Sequence, residues 1–184
     1  MTTDAYVPPN PGDIGLVAIP GVGGPLIRFG QWLAGDGWTA YQHAFVYVGD
    51  GKIMEAMPGG ARMVDLSYRY GDPQKIKYLR CPPQYGEDVA QKAISFLDVP
   101  YSALDYVSLG LHRFHIPAPH LRGYIKDSKH QICSQLADQA AALGGWHIFD
   151  DGRWPGDVTP NDLGKVYLLQ VKAGHPIERA KVSR

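Results

Sequence analysis

Cysteine is scarce in this chain: Cys81 and Cys133 are all that 184 residues hold, and they form no CxxC pair. That removes a disulfide framework and the paired spacings of a structural zinc site. The redox compartment stays open, although two lone thiols lean intracellular. Net charge is missing as well, because 18 Lys and Arg meet 18 Asp and Glu. The electrostatic footprint of a nucleic-acid binder is absent, and an anionic membrane surface finds nothing to attract it. No long apolar run is present. The most apolar stretch, Leu16–Ile27, is broken by Pro20, Gly21, Gly23, Gly24 and Pro25. It falls far short of the about 20 residues that a membrane span needs, so no membrane insertion is expected. Met1–Tyr6 has neither a basic start nor an apolar core, so no signal peptide is expected. The expected location is the cytoplasm, with release by another route left open.

What is present describes a folded protein. Apolar residues make up 45% and charged residues 20%, a balance at odds with disorder. The 22 Gly and 15 Pro predict many loops. A chain of this length forms one domain and buries about two-thirds of its unfolded surface, so it needs no staples. Residues 1–12 read as an N-terminal arm, 13–171 as the domain and 172–184 as a polar, solvated tail.

The pattern of elements is mixed. Asp13–Ile19 is a short apolar run with the look of a strand. Pro25 suits the first turn of a short helix, with Leu26, Phe29 and Leu33 on one face. His43–Val48 is a β-rich run, apolar on both faces, and so belongs inside a sheet. Gly49-Asp50-Gly51 is a turn, and Lys52–Met57 returns as the second strand of a hairpin. Lys75–Arg80 reads as another strand, stopped by Pro82-Pro83. Glu87–Leu97 reads as a helix, with Val89, Ala93 and Phe96 sharing a face and Glu87 and Asp88 at its positive end. Val99–Phe114 reads as a loop running into a helical turn, and His115–Lys126 as loop.

Gln131–Leu143 is the strongest helix. Ile132, Leu136, Ala140 and Leu143 form its stripe, Asp127 or Ser128 caps it, and Gly144-Gly145 ends it. Val158–Leu163 reads as a turn and Val166–Val171 as a last strand.

Cys133 lies in the first turn of that helix. The outward N–H groups and the helix dipole favour an anion there, and a nearby His would complete an ion pair. The plainer reading of Cys133 is a small buried hydrophobe. His43 opens the hairpin and Glu55 sits on its return strand. If the loop is the three residues Gly49-Asp50-Gly51, Val48 opposes Lys52 and Glu55 opposes Phe45. Glu55 then shares a face with His43, diagonal to it at roughly 7 Å. A two-residue Asp50-Gly51 loop would put the two on opposite faces. The odd loop is expected, with Glu55 orienting the imidazole.

These residues carry a resemblance. The run from His43 to Ala56 resembles the histidine hairpin of the circularly permuted NlpC-type cysteine peptidases, a papain-like family that includes the lecithin–retinol acyltransferase-like enzymes. Pro11-Gly12-Asp13-Ile14-Gly15-Leu16-Val17 is similar to that family's opening strand. Pro100–Tyr106 resembles its tyrosine segment before the nucleophile, and Gln131-Ile132-Cys133-Ser134-Gln135-Leu136 its nucleophile helix. Val158-Thr159-Pro160-Asn161-Asp162-Leu163 resembles the segment that follows. The matches run in order over roughly residues 11–170, with His before Cys.

The resemblance implies an α+β papain-like fold in which an antiparallel sheet packs against the helix bearing the nucleophile. It implies Cys133 as nucleophile, His43 as general base and Glu55 as the orienting third residue. Tyr101 falls where the family has a tyrosine near the oxyanion. Gln42 stands where many relatives have Ser or Thr before the histidine, and is a second candidate for oxyanion or substrate contact. The long stretch His112–Lys129 could serve as a lid or substrate loop.

Other constellations are weaker. His112, His115, His130 and Cys133 are zinc-ligand types, but there is no H-E-x-x-H, and Pro117 and Pro119 break any helix that would align them. Gly21–Gly24 lacks the Lys and the Gly spacing of a phosphate loop. Asp150-Asp151-Gly152 lacks the further carboxylates of a calcium loop. Tyr101, Tyr106, Trp146 and Trp154 could line an acceptor groove, although core or rim is the commoner place for such rings. Cys81, beside Pro82-Pro83, reads as inert. The expectation is a thiol hydrolase that cleaves an amide through a Cys–His–Glu triad and needs no metal or cofactor. Its expected partner is a peptide or acyl-amide substrate, a cell-wall peptide by resemblance. Acyl transfer or lipid-amide hydrolysis on the same fold is the nearest rival, and a non-catalytic binding module is the rival from another class.

Overall fold

The computed structural model describes residues 6–18, 41–57, 60–71, 76–97, 131–153 and 158–182. The expected helix at Pro25, the stretch Val99–Lys126, the caps Asp127 and Ser128, and the residues Tyr101, Tyr106, His112, His115, His130 and Trp154 lie outside them.

The architecture is α+β. Strands β1 (Ile14–Val17), β2 (His43–Gly49), β3 (Lys52–Met57), β4 (Gly60–Asp65) and β5 (Lys77–Leu79) form one antiparallel sheet in the order β4-β3-β2-β1-β5. Helix α1 (Leu66–Tyr70) follows β4, and α2 (Gly86–Ser95), α3 (Gln131–Leu143) and α4 (Pro160–Ala173) complete the described elements. The central position of β2 fits its apolar character on both faces.

Alternation along the strands divides the core in two. Ile14, Leu16, Ala44, Val46, Met54, Ala56 and Leu79 face the helices and meet Val89, Ala93, Leu136, Ala137, Ala140 and Leu163. Phe45, Ile53 and Tyr78 face the other way, with Leu66 and Ile76 over them. On this second face Gly15 is required. A Cβ there would stand 2.1 Å from Cζ of Phe45, whose ring covers the strand. The ring then stacks on Tyr70, with centroids 5.3 Å apart.

The hairpin pairs Val46 with Met54 and Tyr47 with Ile53. Gly49, not Val48, stands opposite Lys52, so the loop is the two residues Asp50-Gly51 and not the expected three; the expected register still results because a bulge between Tyr47 and Gly49 adds one residue. Gly49, Asp50 and Gly51 all take positive φ, which suits the two glycines and is tolerated by Asp. The bulge supplies the extra residue that keeps His43 and Glu55 on one face.

Three expectations are corrected at the C-terminal end. Val166–Val171 is no strand but the middle of α4, and Val158–Leu163 is not a free turn but the start of that helix. Thr159 accepts a hydrogen bond from the Asp162 N–H, Asp162 answers with its carboxylate, and Pro160 follows the cap. This capping box fixes the helix start. The buried residues Leu163, Val166 and Gln170 recur at helical spacing, which the β-favouring composition of the run conceals. The stretch read as a solvated tail is docked. Ala180 donates to the Ile148 carbonyl and accepts from Asp150, while the Trp146 indole N–H reaches the Ile177 carbonyl. Trp146 is therefore a core residue, fully buried. On α3, Leu136 and Ala140 are buried as expected, whereas Leu143 remains exposed.

Two motif residues, Asp13 and Ser134, find structural work. Asp13, buried, accepts from the Cys81 and Asn10 backbone N–H groups and from Arg80. Arg80 in turn holds the Val7 and Pro8 carbonyls. Ser134 donates to the Val158 carbonyl at 2.6 Å and so ties α3 to the start of α4. At the edge of the sheet, just past β5, the Gln170 side chain bonds both the N–H and the carbonyl of Arg80, at 2.8 and 2.7 Å.

Candidate active site

Helix α3 lies against β2 and β3 on the first face of the sheet. Its first turn brings Cys133 to the start of β2, where the sulfur and the His43 ring are hydrogen-bonded partners. The Nε2–H of His43 donates to Glu55 Oε2 at 2.9 Å. With Nε2 committed to Glu55, Nδ1 is the ring nitrogen left for the sulfur. Cys133, His43 and Glu55, which stand far apart in sequence or across a turn, are thus joined through one imidazole. All three are buried.

Glu55 is the most heavily bonded side chain of the group. Its Oε2 accepts from His43 and from the Tyr70 hydroxyl, the latter at 2.8 Å. Its Oε1 accepts from Arg62 Nε and Nη2 at 2.8 and 2.5 Å, and from Arg69 Nε at 3.1 Å. Arg62 stands directly opposite Glu55 in the β3–β4 pairing. Arg69 and Tyr70 come from α1, and the Arg69 guanidinium lies 4.9 Å over the Tyr70 ring.

The charges follow from these contacts. Burial opposes the His43 imidazolium. The Cys133 charge and hydrogen bond, with the Glu55 hydrogen bond and charge, outweigh it and lift His43 from 6.5 to about 9. Burial likewise works against the Glu55 carboxylate, yet the hydrogen bonds from His43, Arg62 and Tyr70 and the His43 charge bring it down to about 2. Tyr70 is pushed up, by burial first and then by the Glu55 charge and hydrogen bond, so its phenol stays a donor.

Of the residues named from sequence, Cys133, His43 and Glu55 are brought together. Gln42 is fully buried at the entrance to β2, its backbone N–H bonded to the Val17 carbonyl. Tyr101 lies outside the described residues. Cys81 is buried and stands apart, its thiol pushed up to about 12 by burial and the Asp13 charge, so it is a poor nucleophile.

Sequence reasoning missed Arg62, Arg69 and Tyr70. One signal was available: Pro58-Gly59 between two runs of similar length marks a further turn, and extending the pairing through it puts Arg62 opposite Glu55. Among the described residues no group of three or more His, Cys, Asp or Glu is gathered that could hold a metal ion. No described helix is long and apolar enough to cross a membrane. Comparison with family models, with curated proteins and with solved structures yields no match.

Proposed function

We propose that this chain is a thiol hydrolase that cleaves an amide through an acyl-enzyme, with Cys133 as nucleophile and His43 as acid and base. One observation carries the reading: a single buried imidazole is shared between Cys133 and the ionised Glu55. A buried cysteine that served only as packing has no use for such a partner, whereas an activated thiolate needs it. The resemblance to the permuted NlpC-type papain-like peptidases points the same way, and the antiparallel sheet packed on the Cys133 helix is compatible with it.

The chemistry follows from the assigned roles. The Cys133 thiolate attacks the acyl carbon, forming a C–S bond as the carbonyl π pair moves to oxygen. The Cys133 backbone N–H at the helix start is one donor to that oxyanion. Collapse of the intermediate breaks the C–N bond, and the His43 imidazolium gives its Nδ1 proton to the leaving amine. Neutral His43 then takes a proton from water, whose oxygen attacks the thioester. Collapse of this second intermediate breaks the C–S bond, the carboxylic acid product leaves and passes its proton to the freed amine, and the thiolate and imidazolium are restored. Glu55 keeps Nε2–H aligned throughout and takes no proton. The substrate class we favour is a peptide amide, a cell-wall peptide by resemblance.

The test is turnover of peptide amides and of N-acyl amides, read by mass spectrometry, in the wild type and in Cys133→Ala. We expect release of the amine from the peptide, a mass shift of the acyl group on Cys133, and neither event in Cys133→Ala. Release from N-acyl amides alone would move the substrate to the lipid-amide class. Unchanged turnover in Cys133→Ala would overturn the reading. So would an inert wild type whose Cys133 reacts with iodoacetamide only near the free-thiol pKa of about 8.5, with or without His43.

A further inference from the structure

The Glu55 carboxylate receives more positive charge than its part in a Cys–His–Glu triad calls for. With the ion pair formed, a thiolate and a carboxylate face one imidazolium, which leaves one negative charge. Arg62 and Arg69 add two cations on Oε1 and turn that balance into one positive charge. Neutral donors would have satisfied a buried oxygen equally well. The two oxygens are also divided. Among the described residues, Oε2 takes His43 and Tyr70, and Oε1 takes the two guanidinium groups. The Oε1 contacts therefore fix the rotation of the carboxylate that aims Oε2 at the ring.

We propose that Arg62 and Arg69 are positioning residues for the Cys133–His43 pair, holding Glu55 as an aligned anion and surrounding the pair with net positive charge. The inference rests on the thiol-hydrolase reading. Among the described residues, the titratable and charged groups that face Glu55 and His43 are Cys133 from α3, Arg62 from β4, and Arg69 and Tyr70 from α1. Tyr78 of β5 lies farther along the same face, edge-on to Phe45.

Cations at this place act on both members of the pair. They favour the thiolate and disfavour the imidazolium, so they draw both limbs of the pH profile downward. The two guanidinium side chains are 45% and 34% exposed, so their fields act through partly aqueous surroundings. A unit charge about 10 Å away in a medium close to water shifts a titration by about 0.3 pH unit. Loss of either arginine's charge raises the midpoint of thiolate formation by about that much, and loss of both by about 0.6 unit.

The experiment is the rate of iodoacetamide alkylation at Cys133 against pH, followed by peptide mass mapping, in the wild type, His43→Ala, Arg62→Gln, Arg62→Lys and Arg69→Gln. Circular dichroism checks each fold. We expect midpoints about 0.3 unit higher in Arg62→Gln and Arg69→Gln. Arg62→Lys, which keeps the charge and loses the forked contact, should keep the wild-type midpoint even where its maximal rate falls. Arg69 holds Glu55 by a single hydrogen bond, so Arg69→Gln carries the same reading if Arg62→Gln does not fold. Wild-type midpoints in both folded Gln variants, with alkylation still fast and dependent on His43, would overturn this proposal alone. Slow wild-type alkylation that ignores His43→Ala would instead overturn the reading on which it rests.

Discussion

Replacing Cys133 by Ala removes the sulfur from one side of the His43 ring and leaves Glu55 on the other. The rise of His43 from 6.5 to about 9 amounts to about 3 kcal/mol in favour of the imidazolium. Burial works against that charge, and Cys133 and Glu55 work for it. Opposite charges in contact at about 4 Å attract by about 4 kcal/mol at an effective dielectric of 20. The sulfur alone is therefore worth as much as the whole net rise. Without it, burial and Glu55 come close to cancelling, and His43 in Cys133→Ala should titrate near its ordinary value of about 6.5 to 7.

The assay is a pH titration of the imidazole ¹⁵N signals, with amide shift dispersion as the check on folding. A His43 that titrates in Cys133→Ala where it does in the wild type would refute the argument, because Glu55 alone would then hold the charge. The same logic sets a stability profile. The folded His43 value lies above the unfolded one, so its contribution is complete below 6.5 and fades as pH rises through about 9. The folded Glu55 value lies below the unfolded one, so its contribution is complete above 4.5 and fades as pH falls toward about 2. In Cys133→Ala the alkaline decline should vanish or begin near neutrality.

Steady-state kinetics should separate the two partners of the ring. His43→Ala removes the proposed acid and base and should cost about 10²- to 10⁴-fold. Glu55→Gln removes a charge-assisted contact worth about 1.5–3 kcal/mol and should cost about tenfold to a hundredfold. Equal losses would mean that Glu55 does more than orient. Gly15→Ala pushes a methyl group into the Phe45 ring and should destabilise by about 1–3 kcal/mol, read as a fall in Tm. Asp138, buried on α3, is lifted to about 7 chiefly by burial. Its folded value exceeds the unfolded one, so wild-type stability falls as pH rises from about 4 to 7. Asp138→Asn, which cannot ionise, should raise Tm at pH 8 more than at pH 5.

The hairpin, the Cys133 helix and the inertness of Cys81 were legible because local rules decide them. Two apolar runs around a glycine turn leave few registers, and a hydrophobic face forbids a slip by one residue. The bulge at Val48 was not legible, since a turn of either parity fits the same residues. Strand β4 escaped notice because Gly60–Asp65 is a half-exposed edge strand whose polar and apolar positions do not alternate. Its importance lies in one cross-strand neighbour, Glu55, and not in its own composition. Helix α4 was misread because Val166, Tyr167 and Val171 favour strands, while the Thr159–Asp162 box that sets the helix lies upstream of them. Tertiary packing against the sheet then overrides the preference.

The amide of Gln170 has a consequence at the level of assembly. Among the described strands β5 ends the sheet on one side, and such an end ordinarily offers unpaired N–H and C=O groups to any passing strand. Just past β5 the Gln170 side chain satisfies both groups of Arg80, as a partner strand would, and then stops, since a side chain cannot propagate a ladder. β5 is only three residues long, so one glutamine on a neighbouring helix closes off much of the room for a second copy to dock. Solubility at this edge is thus written into α4, about 90 residues away from the strand it protects.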